Sequence, residues 1–150
     1  MSATHFSGPV IAGTLTTGQT NGPNQGFVRL KQVANLTQNG TNAVSSTLYI
    51  PAGSKISSFD IDVLTAFNSA TSATLTIGTS AGATTYVGSV DAKTAGRASI
   101  TFTAAQLAAM AGLTLTGGAS PTVPAIVVTI TPVGATTAGF VTVAVNYMQQ

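Results

Sequence analysis

Runs of alternating apolar and polar residues, short and mostly β-branched, dominate the chain from Phe27 onward, and turn-forming residues separate most of them. Successive side chains of a strand point to opposite faces, so a period of two marks one buried side and one outward side. FVTVAVNY at 140–147 puts Val141, Val143, Val145 and Tyr147 together. AIVVTIT at 125–131 aligns Ile126, Val128 and Ile130, and ATLTIG at 73–78 sets Leu75 and Ile77 against Thr74 and Thr76. Further strands are expected where Val28 and Leu30 alternate with Phe27, Arg29 and Lys31, and over 46–50, 56–64, 85–90 and 99–102. Pro51-Ala52-Gly53 stops the second of these. Many short β-branched runs with turns between them predict an all-β antiparallel sandwich, not a parallel α/β sheet.

Two segments depart from the pattern. Residues 1–26 are rich in Gly, Thr, Ser, Asn and Pro and hold no sustained period, as in GTLTTGQTNGPNQG at 13–26. They are expected to form an extended N-terminal arm, leaving 27–150 as the sandwich domain. TAAQLAAMAG at 103–112 is strong helix-forming sequence. Thr103 suits the N-cap and Gly112 the C-terminal stop, with Leu107 and Met110 on one face. A short helix covering one end of the sandwich is expected. At 150 residues the chain fits one domain, able to bury about 70% of its unfolded surface.

Charge narrows the function. Five basic and three acidic residues make 5% of the chain, against about 25% in an ordinary soluble domain. The pI of 9.3 therefore reflects a net charge of only +2. No block of like charge exists to hold nucleic acid or anionic lipid. Threonine, with 26 copies, takes over the polar role. Proteins stay dispersed largely through surface charge, so a positive mean hydropathy with so little charge predicts a closely packed assembly. No cysteine is available for disulfides or thiolate metal sites. MSATHFSGPVIAG lacks the basic and apolar parts of a leader, and no apolar run reaches the roughly 20 residues of a membrane span.

Two of the three acids sit one residue apart, Asp60 and Asp62 in FDIDV at 59–63. On a strand they share a face roughly 6.6 Å apart, a spacing compatible with a glycosidase pair. The simpler reading puts Phe59, Ile61 and Val63 in the core and the acids on the outward face. There they could meet Arg29, Lys31, Lys55 or Arg97 of a neighbour. His5 is the lone histidine, too little for a zinc site or a triad with no G-x-S-x-G motif. No EF-hand, P-loop or dinucleotide fingerprint occurs. No catalytic residue, cofactor, metal or small-molecule substrate is therefore expected.

The opening motif Thr4-His5-Phe6-Ser7-Gly8-Pro9 resembles the start of small virion proteins of tailed bacteriophages. LYIPAGSKI at 48–56, DVLTAFN at 62–68, TLTIG at 74–78 and DAKTAGR at 91–97 are similar in style to those capsid decoration, cement or head-fibre-like proteins. The resemblance implies a non-enzymatic antiparallel β-sandwich, jelly-roll-like, made in the host bacterial cytoplasm and carried on the phage head surface. Its partners would be the major capsid protein and further copies of itself, as a homotrimer. Candidate contacts are Thr4, His5, Phe6, Ser7, Gly8 and Pro9, with Arg29, Lys31, Asp60 and Asp62 on the sandwich. A tail or head-fibre subunit, and a carbohydrate-binding sandwich for host attachment, are the alternatives.

Overall fold

The computed structural model describes residues 28–51, 54–111 and 125–149. The alternating runs become β1 (Arg29–Thr37), β2 (Val44–Tyr49), β3 (Ser54–Thr65), β4 (Ser72–Gly78), β5 (Val87–Asp91), β6 (Gly96–Arg97), β7 (Ala125–Val133) and β8 (Phe140–Gln149). A single helix, α1 (Ala104–Ala111), lies between β6 and β7. The arm expected over 1–26 and the helix stop expected at Gly112 lie outside the described residues.

The strands form two four-stranded antiparallel sheets, ordered β1-β8-β3-β6 and β2-β7-β4-β5. The pairing is nested: β1 with β8, β2 with β7, β3 with β6, β4 with β5. This is a long antiparallel ribbon folded at its middle. Wrapping the ribbon brings β3 against β8 and β4 against β7, which completes each sheet. The result is the jelly roll, one of the double-sheet solutions to the problem of open strand edges.

The inward sides predicted from the period are the ones buried. Ile61, Leu75, Ile77, Ile126, Val128, Val141, Val143 and Val145 are all fully enclosed. Each such side chain contributes about 1.5–3 kcal/mol by leaving water. Around β1 the core contacts come later than the sequence suggests: Ala34 and Leu36 are buried, whereas Leu30 and Val28, just before the strand, stay 37% exposed.

The expected strand at 99–102 does not form. Ile100 and Phe102 still pack against the core, but after Ala98 donates to the Ile61 carbonyl (2.9 Å) the chain leaves the edge of β3. Alternation records a buried side; it says nothing of whether a neighbouring strand is there to pair.

α1 begins as expected, with a reciprocal cap. The Gln106 amide donates to Thr103 Oγ1 (3.3 Å), and the Thr103 amide donates to Gln106 Oε1 (2.9 Å), which satisfies two otherwise unpaired donors. Met110 is buried but Leu107 is 51% exposed, so only one of the two apolar residues reaches the core. The helix packs against β3, whose edge β6 covers only at Asp62 and Val63. No described helix is long and apolar enough to cross a membrane.

Candidate interaction surface

The register of the β1-β8-β3-β6 sheet decides what its outer face carries. Arg29 and Lys55 both stand opposite Met148, on either side of β8. Lys31 and Ser58 stand opposite Asn146, Val33 and Asp60 opposite Ala144, and Asn35 and Asp62 opposite Thr142. Arg97 of β6 faces Asp62. Residues opposite one another in a sheet point the same way. Arg29, Lys31, Lys55, Asp60, Asp62 and Arg97 therefore share one face. Only Asp91 and Lys93 of the chain's charged residues lie elsewhere.

The sandwich places Phe59, Ile61 and Val63 in the core and turns both acids outward. Each acid finds its cation within the same chain. Arg97 grips Asp62 with two parallel bonds, Nε to Oδ1 at 2.7 Å and Nη2 to Oδ2 at 2.8 Å. This planar fork is the strong form of the contact, and it holds the Asp62 carboxyl below its usual range. Asp60 takes a bond from Asn146 Nδ2 at 3.0 Å and an ion pair from Lys31 Nζ at 3.5 Å. The Asn146 bond leads in holding the Asp60 carboxyl low, with Lys31 adding to it. Asn146 Nδ2 also donates to Ser58 Oγ (3.1 Å). Lys31 thus reaches diagonally across β8 to β3, above the small side chain of Ala144, which is buried beneath it.

The other sheet presents a different surface. Thr129, Thr131, Thr74, Thr76, Ser45 and Thr47 point outward from it, with Asp91 at the β5 edge. Ser45 Oγ and Thr129 Oγ1 share a bond of 2.9 Å, and the Gly82 amide donates to Thr129 Oγ1 at 3.0 Å, folding the β4–β5 connection over the sheet. A shallow cleft of about 310 Å³ lies beside β5 and β6, lined by Val63, Ser89, Asp91, Thr94 and Arg97 among others. The Asp91 carboxylate there is occupied by the Lys93 amide (3.1 Å) and Thr94 Oγ1 (3.0 Å). Among the described residues no group of three or more His, Cys, Asp or Glu could hold a metal ion.

Of the sequence-derived contacts, Arg29, Lys31, Asp60 and Asp62 fall on one face. Thr4, His5, Phe6, Ser7, Gly8 and Pro9 lie outside the described residues. Asn146 was not foreseen. Its outward position in FVTVAVNY was legible, but its meeting with Asp60 depends on the register between β3 and β8.

The chain shares its fold with a phage capsid chain. The match is to a chain of the cyanophage Pam1 capsid asymmetric unit, with a TM-score of 0.54 at 18% identity. It covers 93% of this chain and 99% of that one. No protein-family model and no curated protein matches the sequence.

Proposed function

We infer that this protein is a structural component of a bacteriophage head, a decoration subunit that binds the assembled shell and stabilises it by bridging neighbouring capsid subunits. The observation that carries the reading is the likeness to the Pam1 capsid chain over nearly the whole of both chains. A cement protein acts by mass action, binding the finished lattice better than its free parts. Copies set side by side add weak contacts through avidity. A threonine-rich sheet face nearly free of charge suits close packing of like subunits, and a homotrimer is the assembly proposed.

The electrostatics of FDIDV support a non-enzymatic role. A glycosidase needs one carboxyl raised so that it stays protonated, whereas Asp60 and Asp62 are both lowered. The lectin alternative draws little from the tyrosines: Tyr86 and Tyr147 are buried and only Tyr49 is exposed.

Co-sedimentation with purified capsids tests the reading. The protein should pellet with shells, and removing residues 1–12 should weaken that binding while leaving the sandwich folded. Failure of the full chain to pellet with shells overturns the head assignment. Light scattering at micromolar concentration should report an oligomer, and a clean monomer overturns the trimer.

A further inference from the structure

The formal charge of the chain is five cations less three anions, or +2. Its location can be read from the pairing. Lys31 is matched to Asp60 and Arg97 to Asp62. Lys93 makes no ion pair among the described residues, its ammonium donating to the Thr71 carbonyl (3.2 Å), but it lies two residues from Asp91 and the two charges offset each other in that region. What remains is Arg29 and Lys55, and neither has a carboxylate within 4.0 Å among the described residues. They flank Met148 from the two neighbouring strands, which sets their backbones about 9.6 Å apart at two strand spacings. Lys31 stands two residues from Arg29 on the same side. The excess charge of the molecule is therefore gathered at one corner of the charged face, where β1 and β3 begin and β8 ends.

We propose that this corner docks a carboxylate-bearing protein surface, with Arg29 and Lys55 as the cations and half-buried Met148 as the apolar contact between them. The proposal rests on the shell-binding reading and names the chemistry of the partner at that contact. Elsewhere on the face the acids are already satisfied by their own cations, so an incoming cation has no free carboxylate to meet. An incoming pair of carboxylates meets two cations with no competing side-chain carboxylate within 4.0 Å among the described residues. Arg and Met are enriched in interface centres, where an apolar body is rimmed by polar groups. Screening confines the attraction to about 8 Å at physiological salt, so the contact acts at docking distance. Nucleic acid is the poorer fit. Strong, salt-sensitive binding to it draws on roughly six to ten phosphate contacts, and this corner offers three cations, one of them already paired.

The test compares wild type, the double reversal Arg29→Glu/Lys55→Glu and the control Lys93→Glu, each first shown folded by its thermal midpoint. Immobilised polyglutamate, duplex DNA and purified capsids are the probes. Wild type should bind polyglutamate and capsids, and both should weaken as NaCl rises from about 0.05 to about 0.5 M. The double reversal should lose about tenfold or more in affinity for both, while Lys93→Glu matches wild type. A folded double reversal that binds capsids as wild type does overturns the corner and leaves the head reading standing. Polyglutamate binding lost on reversal, without capsid binding by wild type, supports the corner and overturns the head reading. Tighter retention on DNA than on polyglutamate overturns the carboxylate assignment.

Discussion

Asn146 ties together three strands' worth of polar chemistry from a position that looks, in sequence, like a gap in a hydrophobic run. Its amide serves Ser58 and Asp60 on β3, and Lys31 reaches the same carboxylate from β1. The pH response follows from these contacts. Both Asp60 and Asp62 are lowered, so their contribution to stability is full above the unfolded value of about 4. It is lost as the pH falls through their lower folded values. Wild type should therefore melt at a higher temperature than Asp60→Asn/Asp62→Asn at neutral pH, with the two midpoints converging as the pH drops toward about 2. A gap that stays constant from neutral to acid would contradict this. Gly139 gives a second residue-scale expectation. A Cβ there would clash with the edge of the Phe67 ring, and Phe67 is fully buried. Gly139→Ala should cost about 1–3 kcal/mol by overpacking, read by urea denaturation. The positive φ of Gly139 (156°) adds backbone strain to the clash, so a neutral result would contradict both.

At the scale of elements, α1 shows how a local signal and a tertiary one divide the work. The cap between Thr103 and Gln106 is a three-residue device, and its geometry needs nothing from the rest of the chain. Thr103→Ala should cost about 1 kcal/mol. Burial along the helix is a different matter. Leu107 and Met110 have the same spacing claim to the core, yet only Met110 reaches it, because the helix packs against β3 with Met110 turned inward and Leu107 left 51% exposed. Met110→Ala should therefore cost about 2–5 kcal/mol, and Leu107→Ala well under half of that. Denaturation midpoints of the three variants check the order, and a Leu107 loss equal to that of Met110 would contradict the packing. The segment 99–102 makes the same point for strands. Its alternation correctly marks Ile100 and Phe102 as inward. The ladder with β3 that it would need, on the N-terminal side of Ile61, is not formed among the described residues.

For the whole molecule, the nested pairing joins the two ends of the described chain. Asn35 and Thr142 share a side-chain bond of 3.0 Å across 107 positions of sequence. Closing such contacts costs loop entropy before the ladders repay it, so this topology should refold in the millisecond-to-second range or slower. Stopped-flow refolding checks this, and a submillisecond main phase would contradict it. The fold class was written in the alternation, since a period of two follows from strand geometry alone and each core residue named in β3, β4, β7 and β8 carries it. The scarcity of charge was likewise legible, and with it the weakness of any catalytic or nucleic-acid reading. Composition could not say where the few charges go. Arg29 and Lys55 are 26 residues apart, and nothing local relates them. They become neighbours because both strands pair with β8, and strand pairing is set by which apolar faces close on one another. Which acid meets which cation, and where the unmatched pair is left, follows from that closure and from nothing nearer in sequence.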